Sequence, residues 1–227
     1  MKKLEQELEN LKHRIAEMGE LAQSMVEEAV LALSDPQDDE HHRRVLADEE
    51  RLDQMQLQVD KETIHLLTVY GPVAGNLRLV ISAARINSEL ERIGDQTVSM
   101  CNHIQLLASQ SDAPPLRQFE GMAKLVRTML YETLKAFRLD DTVKARATMA
   151  NDDLVDVIND EIVRELLGCD PDQSGCGSAG DIAGSVAQIM VSQSLERIAD
   201  QVCNICEQII YMVEGTDIRH GRNSMPC

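Results

Sequence analysis

The heptapeptide LERIGDQ at positions 90–96 returns as LERIADQ at positions 195–201, with six of its seven residues unchanged and an offset of 105. In a chain of 227 residues, a repeat at about half the length points to two copies of one folding unit. The likeness extends well beyond the heptapeptide. MVEEAVLAL (25–33) lies over MLYETLKAF (129–137) at an offset of 104, which aligns Glu28 with Glu132 and Ala32 with Ala136. ADEERLD (47–53) lies over ANDDLVD (150–156) at an offset of 103. The offsets drift by only two residues, as small loop changes would produce.

Each unit reads as helical. Breakers at SDPQDD (34–39), YGPVAGN (70–76), SQSDAPP (109–115), LDD (139–141) and GCDPDQSGCGSAGD (168–181) divide the chain. Between them apolar residues recur every three or four positions: Leu90, Ile93, Met100, Ile104 and Leu107 in one segment, Leu195, Ile198, Val202, Ile205, Ile209 and Met212 in another. Aromatic residues make up only 2% of the chain, so its core must be built from Leu, Ile, Val, Met and Ala. That palette favours packed helices over sheets. The spacing predicts six helices, over about 3–33, 39–69, 74–108, 116–138, 141–167 and 181–214. The expected fold is all-α, two tandem, pseudo-symmetric three-helix bundles, the first spanning 1–110 and the second 114–220.

Charge narrows the function. A formal net charge of −17 leaves no basic stripe to displace counterions from phosphates, which argues against nucleic acid as a partner. No apolar run approaches the ~20 residues of a membrane span, so no membrane insertion is expected. The opening MKKLEQELENLKHR lacks the apolar stretch of a secretory signal, and a cytoplasmic location with reduced cysteines follows as an expectation.

The repeated segment is also acidic. Glu91 and Asp95 stand four residues apart, one turn along the same helix face, and Glu196 and Asp200 repeat the arrangement. The second helix of each unit carries a companion pair, Glu49 with Asp53 and Asp152 with Asp156. Like charges at this spacing weaken a helix by a few tenths of a kcal/mol. Glu91 follows Leu90 and Asp95 follows Ile93 by two, so the pair flanks the apolar stripe at the rim of the core. Antiparallel neighbouring helices would bring two such pairs together, and converging carboxylates favour a bound cation. Oxygen ligands suit Mg²⁺, Ca²⁺ or Mn²⁺ and do not exclude iron. A single E-x-x-x-D is a solvated face far more often than a ligand pair, and Arg92 and Arg197 adjoin these acids as neutralising partners. Four pairs at matching places in a repeat favour the cation.

Other residues read as ordinary. Cys203 and Cys206 form a lone C-x-x-C within a helix, without the second pair of a zinc site, although Cys203 lies one turn beyond Asp200. Cys101 aligns with Cys206, which points to packing. Cys169 and Cys176 fall in the 168–181 loop. Glu62 and His65 form one E-x-x-H, whereas a di-iron carboxylate bundle needs two. His65 reads as partly buried, and His41 and His42 as solvated. No nucleophile stands in a catalytic context and no Gly-rich phosphate loop is present, so no catalytic residue is assigned.

Together these residues resemble the PhoU family of regulators of bacterial phosphate uptake. The likeness rests on Met18-Gly19, on the P-x-x-x-N-L-R entry to the third helix (Pro72, Asn76, Leu77, Arg78) and on both E-R-I-[GA]-D copies. The resemblance implies two similar three-helix bundles with metal ions bound at the E/D-x-x-x-D motifs, in some members as multinuclear clusters. The ions it implies are divalent or iron: Mg, Mn, Fe or Zn. It implies a non-enzymatic negative regulator of phosphate uptake and of the phosphate regulon, linking a phosphate ABC transporter ATPase to a sensor histidine kinase. It also implies a homodimer that sits peripherally at the inner face of the membrane through its partners. Glu91, Asp95, Glu196 and Asp200 occupy the motif positions, and Glu49, Asp53, Asp152 and Asp156 the companion positions. Two features depart from the family pattern: the Gly- and Cys-rich 168–181 segment, and Ser99 where the second copy has Asn204. A carboxylate-bridged oxidase or metal store remains an alternative, as does a structural dimer with solvated acids. The sequence offers the outer faces of the first and fourth helices as partner surfaces.

Overall fold

The computed structural model describes residues 2–110, 118–167 and 182–219. Seven α-helices are found there: α1 Lys2–Ser34, α2 Asp39–His65, α3 Ala74–Gln110, α4 Gln118–Leu139, α5 Thr142–Met149, α6 Asp152–Leu166 and α7 Ile182–Glu214. α2 runs on into a π-turn, Leu66–Tyr70, where the Thr68 hydroxyl donates to the Ile64 carbonyl at 2.8 Å. Gly71, left-handed at φ 52°, and Pro72 then end it.

The architecture is two tandem, pseudo-symmetric three-helix bundles, α1–α3 and α4–α7. The second bundle departs from the six-helix expectation because its middle helix breaks at Ala150–Asn151 into α5 and α6. Side chains compete for the backbone at that point: Thr148 Oγ1 donates to the Lys144 carbonyl at 3.0 Å, and Asn151 Nδ2 to the Ala147 carbonyl at 3.4 Å. The aligned residues of the first bundle are Val45 and Asp48, and there the helix runs through. Asp152 and Asp153 then fall in the first turn of α6, a favourable place for negative charge.

α3 and α7 join the bundles along the most extensive helix contact in the molecule. Arg85 Nη1 donates to Gln208 Oε1 at 3.1 Å and Asn204 Nδ2 to Glu89 Oε2 at 3.2 Å, so the two helices run antiparallel. α1 and α4 also run antiparallel, with Lys12 paired to Asp140 at 2.9 Å and Arg127 to Glu27 at 3.3 Å. The predicted stripe is buried: Leu90, Ile93, Leu195, Ile198, Val202, Ile205 and Ile209 are fully enclosed within one hydrophobic core that runs through both bundles. Among the described residues no helix is long and apolar enough to cross a membrane.

Candidate functional site

The heptapeptide turns its apolar residues inward and leaves its acids at the edge. Leu90 and Ile93 are fully buried, Glu91 is half-buried and Asp95 exposed; Leu195, Ile198, Glu196 and Asp200 repeat that gradient. Close helix approach sets the edge. A Cβ on Gly94 would lie 2.4 Å from Leu52 Cδ2, so α2 and α3 meet where the acids emerge. Asn87 pins the register nearby, its Nδ2 donating to the Gln56 carbonyl at 3.2 Å and to Asp60 Oδ1 at 2.9 Å.

The acids of each rim act on one another. Burial, then Asp53, then Asp95, push Glu49 above the usual carboxylate range. Burial, Asp95 and Asp53 do the same to Glu91, while the Arg92 charge opposes them. In the second bundle burial and Asp200 raise Asp152; burial, Asp200 and Asp156 raise Glu196; burial and Asp156 raise Asp200. α2 and α3 thus carry one mutually repelling set, Glu49, Asp53, Glu91 and Asp95. α6 and α7 carry the other, Asp152, Asp156, Glu196 and Asp200. The arginines offer little relief. Arg92 pairs with Glu89 at 3.5 Å, and Arg197 acts on Glu196 only through its charge. As the side chains stand, no three His, Cys, Asp or Glu residues among those described lie close enough together to hold an ion.

The other singled-out residues have evident employment. Glu62 is held by Arg14, Nη2 to Oε1 at 2.8 Å, and His65 is exposed rather than partly buried, its ring edge-on to Tyr70 at 6.0 Å. His41 and His42 are not solvated. His41 Nδ1 meets Glu28 Oε2 at 2.7 Å, and His42 is buried, because the short α1–α2 connection folds the start of α2 back onto the bundle. The aligned pair in the second bundle is Lys144 with Glu132 at 2.5 Å. Cys101 and Cys206 are packed thiols that burial pushes up to about 12, and Cys206 Sγ lies 3.0 Å from Thr133 Oγ1. Cys203 is half-buried, and burial, then the Asp152 charge, push its thiol well above its ordinary value. The 168–181 loop, with Cys169 and Cys176, lies outside the described residues. Between α1 and α4 runs a groove of about 720 Å³, floored by Val30, Leu33, Phe119 and Ala123 and edged by the Glu27–Arg127 pair. Nothing in the periodicity of either helix foretold it.

The model of the PhoU domain matches this chain twice, over residues 15–104 and 119–209. The chain belongs to the PhoU family. Each match covers one bundle from within its first helix to within its last, so the internal repeat is a repeat of this domain. Among relatives, the phosphate-specific transport system accessory protein PhoU of Serratia marcescens is 31% identical over 94% of this chain and 86% of its own length. The protein of the same name from Escherichia coli K12 is 30% identical over the same shares. The crystal structure of PhoU from Pseudomonas aeruginosa superposes with a TM-score of 0.85 at 30% identity, covering 93% of this chain and 99% of that one. The phosphate transport system regulatory protein PhoU from Streptococcus pneumoniae superposes with a TM-score of 0.83 at 28% identity, covering 93% and 97%.

Proposed function

We propose that this chain is an accessory regulator of a phosphate-specific transport system. It restrains phosphate uptake and the phosphate-starvation response when phosphate is plentiful, and works by binding partners rather than by catalysis. The observation that carries this reading is the match to such accessory proteins over both bundles and nearly the whole chain. Its partners are the transporter's ATPase subunit and the sensor kinase of the phosphate response, engaged from the cytoplasm by a homodimer.

Each acid rim holds a divalent or iron cation. Two features support this: neighbouring carboxylate charges that, with burial, raise Glu49, Glu91, Asp152, Glu196 and Asp200 above their ordinary values, and their placement at the edge of the core. The donor chemistry fits an oxygen-preferring ion. Glu91, Asp95, Glu49 and Asp53 would hold it in the first bundle, Glu196, Asp200, Asp152 and Asp156 in the second, after rotation of the side chains toward one another. The ion would supply the countercharge that the arginines do not, and so fix α2 against α3 and α6 against α7.

The function is tested by deleting the coding sequence and assaying a phosphate-starvation reporter such as alkaline phosphatase in phosphate-rich medium. High output, returned to low by the wild-type chain, is expected; low output in the deletion strain would overturn the regulatory reading. Elemental analysis tests the metal. Asp95→Asn with Asp200→Asn should lower bound metal while leaving helix content unchanged, and undiminished stoichiometry would remove these residues from the site.

A further inference from the structure

The middle helix of each bundle begins in the same way. Asp38 caps α2, its side chain accepting from the Glu40 N–H at 2.9 Å, and the aligned Asp141 caps α5, accepting from the Lys144 N–H at 2.9 Å. Three residues beyond each cap, a side chain reaches back to a glutamate on the preceding helix, and these glutamates, Glu28 and Glu132, are also aligned. In the first bundle the reaching residue is His41, with Nδ1 2.7 Å from Glu28 Oε2. In the second it is Lys144, with Nζ 2.5 Å from Glu132 Oε2. The two pairs are sheltered to a similar degree, with 20% of each side chain exposed in the first and 27% and 30% in the second. A lysine keeps its charge across the physiological range, whereas an imidazole changes charge between about pH 5 and 8.

We propose that His41 and Glu28 form a pH-sensitive latch tying the start of α2 to α1, and that the second bundle carries the same latch in a form that pH does not switch. On the acid side of the histidine range His41 is an imidazolium and the pair is ionic. As pH rises one ring proton leaves to water, and a neutral hydrogen bond replaces the ion pair. The ionic stabilisation is therefore present at low pH and fades as pH rises. The surrounding groups set the size of the change and not its sign. On α2, Arg44 approaches Glu28 at 3.5 Å but is shared with Glu40 at 3.2 Å, so Glu28 keeps a weak countercharge when His41 is neutral. On α3, Cys101 feels the Glu28 charge, yet burial holds it as a thiol, and Gln105 is taken up by Asp39 at 3.1 Å. His42, the next residue of α2, is buried and its Nε2 has no partner. In the second bundle the Glu132 hydrogen bond raises Lys144 further, with Asp141 and Tyr131 adding to it, so that latch stays charged. Acidification thus tightens one bundle and leaves the other as it was.

Hydrogen exchange on the full chain with divalent ions chelated tests the latch in a single sample, because α5 serves as the internal control. Between about pH 6 and 8, amide protection in the first two turns of α2 should fall roughly fivefold relative to α5, as for the loss of a modest ion pair. His41→Lys installs the second bundle's own residue and should flatten that profile. Glu28→Gln keeps the ring and removes only its charged partner, and should flatten it as well. Lys144→His should carry the pH dependence across to α5. A flat profile in the wild-type protein, or a slope that survives either His41→Lys or Glu28→Gln, overturns the latch and leaves the regulatory reading untouched.

Discussion

The two rims hold the same heptapeptide against different partners. In the first, Gly94 lies under Leu52. In the second, the aligned residues are Ala199 and Val155, both fully buried. Leucine has one carbon more than valine, and alanine one more than glycine, so a carbon has moved across the helix contact while the total stayed constant. The single difference between LERIGDQ and LERIADQ is thus a packing exchange with the neighbouring helix, and the acids beside it are untouched. What the repeat preserves is volume at the contact and charge at its edge. The α1–α4 contact shows the opposite. Its end near Phe137 narrows to a pocket of about 200 Å³, whereas the end near Leu33, the residue aligned with Phe137, widens into the groove of about 720 Å³.

The largest effect expected is at the narrow end. Phe137→Ala should cost about 3–5 kcal/mol, since a fully packed ring leaves a cavity. Leu33→Ala should fall near the lower end of the roughly 2–5 kcal/mol range, because solvent already reaches the space beside it. Urea unfolding of both variants measures the difference, and equal costs would mean that the groove is filled in solution.

The exchange at the rims predicts a smaller, sharper effect. Gly94→Ala should destabilise by about 1–3 kcal/mol through overpacking against Leu52. Adding Leu52→Val, which reproduces the second rim, should recover most of that loss. A double-mutant cycle in which the two changes simply add would break the account.

The fold was largely legible because the repeat and the periodicity reported the same thing. Breakers fell between the helices, and Leu90, Ile93, Leu195 and Ile198 all went inside as their spacing required. The break between α5 and α6 was not legible. It depends on Thr148 and Asn151 turning back to the backbone, and neither residue type forbids a helix. The histidines were misread for a related reason: the depth of His42 follows from how tightly α2 folds back on α1, which periodicity along one helix does not encode. Of the candidate site, the helix faces and the spacing of the acids could be read, and so could the position of Cys203 beyond Asp200. The action of Asp200 on Asp152, and of Asp156 on Glu196, required α6 to be laid against α7.

The smallest effect is the most diagnostic. Burial and mutual repulsion hold Glu49, Glu91, Asp152, Glu196 and Asp200 above their ordinary values in the folded protein. The native state then keeps protons that the unfolded chain, titrating near about 4, has already lost. Their contribution to stability is present below that pH and is lost as pH rises through the raised values. Asp217, held down to about 2 by Arg219, works in the opposite sense, so the total slope does not isolate the rims. A difference does. With divalent ions chelated, Asp200→Asn removes one repelling charge and relieves Asp152 and Glu196. The variant's advantage over wild type should grow as pH rises through the carboxylate range, and level off below about 1 kcal/mol at neutrality because Asp200 is exposed and screened. Added zinc should reverse the order, since only the intact rim would gain from the ion. If wild type is the more stable without metal, the acids do not repel as described; if zinc leaves the order unchanged, the second rim is an edge of solvated acids and not a site.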